Sequence, residues 1–400
     1  MNDRGPAEST SRRSILTKLL QGLGLGLVMP SRFLYANAGS DNNAGTKDIS
    51  SLTVRVSNPL DAETPVREFI SFLTPNARFF VRSHFGPPPP EAVSVANWKL
   101  RVGGLVDRSS EFTSKDLREM ESVTITAVVQ CSGNGRAHHR PKVPGVQWDR
   151  GAVGNAEWTG VRLRDVLKQA GVNEQARHVQ FQGADRPVVD SVPLFVRSIP
   201  LEKALHPDTI LAYEMNGRAL PLLHGSPLRV ITPGWMAESC TKWLTEITVQ
   251  AEEAKGYYMQ TAYRVPTTPV EPGSTPNVSS VPVEAMVVKS IIAAPQEGET
   301  VKAGRVTVQG VAWGGGAKVV KVEVSIDEGE TWTPARLVGE DRPYAWRQWQ
   351  FIWNAKTGGT FTILCCATDA RGDVQPATSP WNPSGFLWNG WDRVTVMVSA

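Results

Sequence analysis

Residues 123–136 have the sequence VTITAVVQCSGNGR, in which a run of β-branched and aliphatic residues stops at a cysteine and a glycine-rich segment. The run predicts a buried strand, and the glycines and asparagine after it predict a turn. A cysteine at the end of a strand, next to glycines, lies where a ligand can approach the backbone closely. We therefore expect a site at the edge of a sheet, centred on Cys131.

Chain length and turn signals predict two domains. Four hundred residues exceed the roughly 100–200 residues that one domain usually contains. Up to about residue 265, short β-like runs alternate with turns, while residues 159–170 space their apolar positions as a helix does and Gly171 fits the helix end. This half is therefore predicted to mix α and β structure.

A linker and a second domain are predicted beyond it. Residues 266–282 (PTTPVEPGSTPNVSSVP) are rich in Pro, Ser and Thr and lack an amphipathic period, which is typical of a linker. Short alternating or apolar runs follow at the intervals of a β-sandwich, at residues 306–312, 319–326, 346–353 and 360–368. No catalytic constellation is visible in this second half.

The first 38 residues have the three parts of an export signal. Paired arginines lie in residues 11–16 (SRRSIL), an apolar stretch covers residues 19–29, and residues 36–38 (ANA) offer a cleavage site. The arginine pair is typical of the twin-arginine route, and the apolar stretch is about half of the ~20 residues that a membrane span needs. We expect residues 1–38 to be removed and the mature protein, with no membrane span, to reach the periplasm.

The formal charge argues against two classes of partner. Residues 1–38 carry five Lys and Arg and two acidic residues, a net charge of +3 that equals the excess of the whole chain. The remainder is therefore near neutral. Nucleic acids and acidic membranes are bound through many basic contacts, so neither is expected as a partner.

Four cysteines are present, Cys131, Cys240, Cys365 and Cys366. The last two are adjacent on a predicted strand, where their side chains point to opposite faces, so a disulfide framework is not expected. No C-x-x-C-H sequence and no zinc-type spacing of Cys and His occurs, which argues against covalently attached haem and structural zinc. Taken alone, Cys131 is better explained as a buried structural thiol.

Two longer motifs give Cys131 a different interpretation. Residues 129–136 (VQCSGNGR) and 147–161 (QWDRGAVGNAEWTGV) closely resemble the molybdenum-cysteine segment of the sulfite oxidase family. The resemblance implies that Cys131 binds the molybdenum of a molybdopterin cofactor and that Trp148 walls the pocket. Molybdenum in a high oxidation state needs a strong anionic donor, and a thiolate is a soft one.

The resemblance continues through residues 74–85 (TPNARFFVRSHF), 224–230 (HGSPLRV) and 241–244 (TKWL). It implies that Arg82 reaches the substrate oxyanion and that His84 contacts the pterin. It also implies that three further residues bind the pyranopterin and its phosphate, namely His224, Arg229 and Lys242.

Further residues are expected around the substrate. Arg82 and Arg136 can hold the oxygens of a sulfite dianion by charge-assisted hydrogen bonds and direct its sulfur at the metal centre. In the family pattern Tyr263, 21 positions after Lys242, faces the metal and donates a phenolic hydrogen bond. The animal pattern has an arginine where this chain has Ser384, so one cation of the substrate pocket is missing.

The family resemblance also implies an α+β fold with two domains. Residues 39–265 are expected to form a mixed α/β molybdopterin-binding catalytic domain, residues 266–282 the linker, and residues 283–400 an immunoglobulin-like β-sandwich that makes a homodimer. Animal members carry an additional haem domain before the catalytic one. No haem is expected in this chain, so the expected electron acceptor is an external cytochrome c in a small, transient interface.

These features predict periplasmic oxidation of sulfite to sulfate. Two other reactions on the same core stay open, that of a sulfane dehydrogenase subunit in a thiosulfate-oxidising system and that of an S-oxide reductase. A binding or adhesion protein is the alternative from another class, because immunoglobulin-like sandwiches often serve recognition.

Overall fold

The computed structural model describes residues 49–275 and 277–399, so the predicted export signal at residues 1–38 lies outside the described residues. The described part is mostly β structure, with 23 strands and four short α-helices. The helical content is smaller than the α+β prediction implies, since the longest of these helices has eight residues. None of these helices is long and apolar enough to cross a membrane.

Thirteen strands and the four helices lie in the first half of the chain. The strands are β1 (Thr53–Ser57), β2 (Leu60–Glu63), β3 (Lys99–Gly104), β4 (Ser110–Thr113), β5 (Ser122–Gln130), β6 (Val153–Arg162), β7 (His178–Gly183), β8 (Val196–Pro200), β9 (Ile210–Met215), β10 (Arg218–Ala219), β11 (Arg229–Ile231), β12 (Leu244–Gln250) and β13 (Arg264–Pro266). The helices are α1 (Ser114–Glu119), α2 (Leu163–Ala170), α3 (Leu201–Leu205) and α4 (Tyr257–Gln260).

Two sheets share the apolar core of this half. One has the order β10-β9-β6-β5, with β11 also paired to β9, and the other has the order β4-β3-β12-β7-β8. Buried side chains from both sheets and from α2 form one cluster, which includes Leu100, Val161, Val166 and Ile247. Burial of this apolar surface is the main favourable term for the fold.

The helix predicted over residues 159–170 begins later in the structure. Residues up to Arg162 continue β6, which pairs with both β5 and β9, and α2 starts only at Leu163. Strand pairing therefore overrides the helical period over the first four residues. The predicted helix end is confirmed, because Gly171 has a φ of 74° and its N–H donates to the carbonyls of Leu167 and Lys168.

Ten further strands make up the second half of the chain. They are β14 (Ser280–Pro282), β15 (Lys289–Ala294), β16 (Thr300–Lys302), β17 (Gly304–Trp313), β18 (Val319–Ser325), β19 (Thr333–Pro334), β20 (Arg336–Val338), β21 (Arg347–Ala355), β22 (Gly359–Asp369) and β23 (Asp392–Ser399). The sheets β15-β17-β21-β20 and β16-β23-β22-β18-β19 enclose a second apolar core. Cys365 belongs to that core, and all four cysteines are free, which confirms that no disulfide framework is present.

The segment between the halves is partly structured. Its two ends pair as strands β13 and β14, with Arg264 opposite Pro282. Apolar residues of both halves then meet in one cluster that includes Val128, Val153, Trp313 and Trp346. The second half therefore packs directly behind the strand that leads to Cys131.

Candidate active site

The segment that carries Cys131 is held by both halves of the chain. The Cys131 N–H donates to the carbonyl of Ala152 at 3.0 Å, and the carbonyl of Ser132 accepts from the N–H of Leu387 at 2.9 Å. Gly135 has a φ of 96°, and a β-carbon there would lie 2.5 Å from the Trp388 ring. The glycine is thus required both for the turn and for the close approach of Trp388.

Cys131 opens into a cavity of about 740 Å³, including its solvent-open mouth. Seven of the nine residues predicted from the sequence line it, namely Arg82, His84, Cys131, His224, Arg229, Lys242 and Tyr263. We refer to Arg82, His84, Cys131 and Tyr263 as the Cys131 group, and to His224, Arg229 and Lys242 as the Lys242 group.

Three side chains of the Cys131 group, those of Arg82, His84 and Tyr263, are hydrogen-bonded in series. The Arg82 guanidinium pairs with buried Asp61 at 3.0 Å, and its Nη2 lies 3.3 Å from Nδ1 of His84. On the other side of the imidazole, Nε2 lies 2.8 Å from the hydroxyl of Tyr263. Three functional side chains therefore form one continuous chain of hydrogen bonds.

The direction of these bonds follows from the donor at one end. A guanidinium can only donate, so Nδ1 of His84 accepts from Arg82. Burial, together with the charges of Arg82 and Lys242, holds the pKa of His84 well below its usual value, so the ring is neutral and carries its proton on Nε2. His84 then donates to the oxygen of Tyr263. Burial raises the pKa of Tyr263 to about 12, so the phenol keeps a proton that it can donate to another acceptor.

Side chains of the Lys242 group are bonded to main-chain carbonyls instead. Arg229 donates to the carbonyls of His224 and Cys240 at 2.9 and 3.2 Å, and Lys242 donates to the carbonyl of Leu223 at 3.0 Å. Nε2 of His224 lies 3.1 Å from the carbonyl of Asn76. Arg229 makes no ion pair within 4.0 Å in the part of the chain that the structure describes. Neutral carbonyls fix the Arg229 guanidinium without cancelling its charge, which suits an anionic ligand.

The cavity wall also contains buried polar atoms that make no hydrogen bond within residues 49–275 and 277–399. They are Nε of Arg229, Oγ1 of Thr241 and both carboxyl oxygens of Glu238. Buried polar groups in native proteins nearly always have partners. The cavity therefore fits an extended ligand that is itself rich in hydrogen-bonding groups.

Of the two cysteines on the wall, Cys131 is the better placed to bind a metal. The sulfur of Cys240 lies 3.3 Å from the hydroxyl of Thr232 and therefore already has a hydrogen-bonding partner. Burial raises the pKa of the Cys131 thiol, while the charges of Arg82 and Arg136 lower it. A bound metal ion would deprotonate such a thiol outright, and the two arginines favour the resulting thiolate.

Known proteins match the chain over both halves. Residues 85–258 match the oxidoreductase molybdopterin binding domain, and residues 280–399 match the Mo-co oxidoreductase dimerisation domain. Sulfite oxidase of Gallus gallus is 36% identical, over 94% of this chain and 84% of its own length. Sulfite oxidase of Arabidopsis thaliana is 34% identical, over 87% of this chain and 94% of its own length. The chain belongs to the sulfite oxidase family.

Two further proteins are similar to the chain. Mitochondrial sulfite oxidase of Homo sapiens is 38% identical over 87% of this chain, which spans 66% of the human protein. The crystal structure of the sulfane dehydrogenase SoxCD from Paracoccus pantotrophus has a TM-score of 0.73 and 26% identity, and the match covers 86% of this chain and 87% of that one. The family and the molybdenum cofactor predicted from the cysteine segment are confirmed by these matches.

The residues present fit the cofactor of the sulfite oxidase family. A thiol flanked by arginines suits a soft metal, the carbonyl-bound cations of the Lys242 group suit a phosphate, and the unpartnered Glu238 and Thr241 oxygens suit a pterin ring. No cluster of three His, Cys, Asp or Glu side chains with metal-binding geometry occurs within the described ranges. Cys131 is the protein's candidate metal ligand because its thiol lines the cavity and lies in the field of Arg82 and Arg136.

Two predicted site residues do not line the cavity. The guanidinium of Arg136 is packed between Gly133 and Gly145, and it donates to the carbonyls of Val146 and Ser384 at 3.0 Å each. Its charge reaches Cys131, but its Nε and Nη1 donors are bonded to main-chain carbonyls. Trp148 is fully buried in the apolar cluster behind the cysteine, so it supports the cavity from behind and does not wall it.

The sequence analysis did not identify two acidic residues of the cavity wall, Asp185 and Glu238. Burial raises the pKa of Asp185 to about 6, although the charge of Lys242 lowers it. Burial likewise raises the pKa of Glu238 to about 7, although the charge of Arg197 lowers it. One signal for Asp185 exists in the sequence. A β-carbon at Gly183 would lie 2.5 Å from both the Asp185 carboxyl and the Lys242 carbonyl, so this glycine permits the approach.

Proposed function

We propose that the protein catalyses molybdenum-dependent oxidation of sulfite to sulfate, in which sulfite and water give sulfate, two protons and two electrons. The observation that carries the proposal is one cavity that brings the Cys131 thiol together with Arg82, His84 and Tyr263 in a member of the sulfite oxidase family. An arginine and a phenol proton beside a thiolate-bound metal suit an oxyanion that gains one oxygen.

Four residues of the cavity wall would hold the cofactor. Cys131 would bind the metal, and His224, Arg229 and Lys242 would bind the pterin and its phosphate. When bound, the cofactor supplies a two-electron redox centre that exchanges an oxygen atom with the substrate. The chain's own side chains must bind and orient the substrate and donate a proton.

Arg82 is proposed to bind and orient the substrate. About a quarter of its side chain is exposed (24%), so a small anion can reach it. Its ion pair with Asp61 and its bond to His84 fix the plane of the guanidinium before substrate arrives. Such preorganised placement is the main contribution a protein makes to this kind of reaction.

Tyr263 is proposed to donate its remaining proton to an oxygen at the reacting centre. The hydrogen bond from His84 fixes the phenol oxygen, and the raised pKa of Tyr263 keeps the donor protonated at neutral pH. The apolar rings of Phe79, Phe80 and Phe195 complete the wall and limit the entry of bulk water.

The cellular setting is also a proposal. The arginine pair and apolar stretch of residues 1–38 support twin-arginine export to the periplasm. An external acceptor of the cytochrome c type would then receive the electrons. The match of residues 280–399 to a dimerisation domain supports a homodimer through an immunoglobulin-like sandwich.

Oxidation of a sulfane sulfur, as in a thiosulfate-oxidising system, is the second candidate. The likeness to sulfane dehydrogenase SoxCD favours it, as does Ser384 at a position where the animal pattern has an arginine. Reduction of S-oxides is a further reaction of the same core, and a binding protein remains the non-enzymatic alternative.

Metal analysis and substrate profiling separate these candidates. Protein purified from a molybdate-supplied host should contain about one molybdenum per chain and should reduce an artificial one-electron acceptor with sulfite. Turnover with a sulfane-sulfur donor but not with sulfite would favour the second candidate. Metal-free protein from such a host would leave only the binding protein.

A further inference from the structure

Arg197 is a buried cation that belongs neither to the cavity wall nor to the site residues predicted from the sequence. It lies on β8, is 1% exposed and does not line the cavity. Its Nη1 donates to the carbonyl of Tyr258 at 2.5 Å, and its Nη2 donates to the carbonyl of Val283 at 3.5 Å. Burying a guanidinium is expensive unless its donors are used, so its placement calls for a reason.

An ion pair does not explain why Arg197 is buried. Glu238 is the acid that most raises the pKa of Arg197, yet the two groups make no ion pair within 4.0 Å in the part of the chain that is described. The hydrogen bonds of the guanidinium are instead with main-chain carbonyls on two separate segments, a short one to Tyr258 and a long one to Val283. A cation bonded in this way braces the backbone.

Both braced segments meet at Tyr263. The carbonyl of Tyr263 accepts a hydrogen bond from the N–H of Val283 at 2.8 Å, and Val283 is the residue whose own carbonyl binds Arg197. The guanidinium also lies 5.7 Å from the centre of the Tyr263 ring, within reach of a cation–π interaction. On the same segment, the Tyr258 ring lies 4.6 Å from the ring of His84.

The backbone of Tyr263 needs such a brace. Its φ is 54°, in the left-handed region that a residue with a β-carbon rarely adopts. Strained backbone of this kind persists only where the surrounding structure fixes it. Stacking of the phenol on Phe386, with ring centres 5.4 Å apart, restrains the ring, while Arg197 restrains the main chain on both sides.

We propose that Arg197 is a positioning residue, which holds Tyr263 in its left-handed conformation and so directs the phenol towards His84 and the cavity. The kinetic part of this inference rests on the proposed oxidation of sulfite. Arg197 touches neither the cavity nor the predicted metal ligand, so its effect on turnover should pass chiefly through Tyr263, whose backbone it braces. Its charge also lowers the pKa of Glu238 on the cavity wall, but an effect through Glu238 would persist when the Tyr263 hydroxyl is removed.

A double-mutant cycle tests that dependence. Arg197→Met should lower kcat for sulfite by about tenfold or more, because a misplaced catalytic group can reduce the rate by up to ~100-fold. KM should change by less than about threefold, since Arg82 keeps its partners. In a Tyr263→Phe background the same change should alter kcat by less than about twofold, because the hydroxyl that Arg197 positions is gone. Arg197→Lys should restore part of the rate, since an ammonium can reach one of the two carbonyls.

Hydrogen exchange gives a readout that does not depend on turnover. Amides of residues 257–265 and 281–284 should exchange faster in Arg197→Met than in the unmutated protein. Arg347→Met is the matched control, because Arg347 is a largely buried arginine of the second half, with a side chain 14% exposed. It should leave exchange in both segments and kcat unchanged.

Distinct results separate failure of this inference from failure of the proposed function. If Arg197→Met lowers kcat equally in the unmutated and the Tyr263→Phe backgrounds, the positioning role is wrong. Unchanged amide hydrogen exchange around Tyr263 in Arg197→Met would also overturn it. If the unmutated protein fails to oxidise sulfite, the proposed function is wrong. The exchange measurement then still decides whether Arg197 braces Tyr263.

Discussion

In the Cys131 group, charged and titratable side chains bond to one another, whereas in the Lys242 group they bond to main-chain carbonyls. Arg82 forms an ion pair with Asp61 and is linked through His84 to Tyr263. Arg229, in contrast, retains its full charge among carbonyl groups. A network of side chains can position a proton and a small substrate, while carbonyl-bound cations can attract a permanent anion such as a phosphate.

The difference predicts that the two groups fail in different ways when mutated. A change in the Cys131 group should impair turnover while the cofactor stays bound. A change in the Lys242 group should reduce occupancy by the cofactor and leave the remaining loaded molecules normal.

The largest effect is expected for Cys131→Ser. A serine alkoxide is a harder and more basic donor than a thiolate, so the potential and geometry of the metal should change even though the pterin stays bound. Turnover of sulfite should fall at least about 100-fold, beyond the usual effect of residues that only support a ligand. Steady-state kinetics together with pterin analysis measure both quantities. Near-normal turnover would remove Cys131 from the site.

Arg82→Gln should come next, with a KM for sulfite raised roughly 10–150-fold, because one charge-assisted bond contributes about 1.5–3 kcal/mol. Competitive inhibition by sulfate should weaken in parallel, and Arg82→Lys should rescue only part of the loss. Arg136→Gln is the internal comparison. The sequence predicts that both arginines hold the substrate and that either change raises KM, whereas the placement of Arg136 away from the cavity predicts a smaller rise for Arg136→Gln. Equal rises would restore Arg136 as a direct substrate contact.

Lys242→Met should lower the molybdenum and pterin content of the purified protein rather than raise its KM for sulfite. Loss of one charge-assisted bond to a phosphate weakens binding by about 10–150-fold. Turnover per bound molybdenum should stay close to that of the unmutated protein. A normal cofactor content with impaired turnover would show that Lys242 belongs functionally with the Cys131 group.

The smallest effect concerns pH and His84. Its pKa in the folded protein lies well below 6.5, chiefly because of burial, so the unfolded chain binds its proton more readily. Stability from this residue is therefore present above about pH 6.5 and is lost as the pH falls, by at most about 1.4 kcal/mol per pH unit. The Tm difference between the unmutated protein and His84→Gln, measured at pH 7.5 and 5.5, should shrink at the lower pH. A constant difference would contradict a neutral His84.

Much of the site could be predicted because its residues lie in contiguous motifs. Cys131 follows a recognisable strand, and the Lys242 group falls in two short segments, residues 224–230 and 241–244. Arg197 could not be found in this way, since its two partners are 61 and 86 positions away. No local pattern marks such a contact.

The errors of the sequence reading have physical causes as well. A motif fixes which residues are near a cysteine, but only packing decides whether Trp148 faces the cavity or the core behind it. In the same way, the helical period of residues 159–162 was overridden by pairing with two neighbouring strands. Tertiary context decided both outcomes.

X-ray absorption at the molybdenum edge tests the central claim most directly, because it counts the sulfur atoms bound to the metal. The unmutated protein should contain molybdenum, and Cys131→Ser should show one sulfur neighbour fewer at an otherwise occupied site. An unchanged sulfur count in the variant, or the absence of molybdenum from protein made in a molybdate-supplied host, would contradict the assignment of Cys131 as the metal ligand.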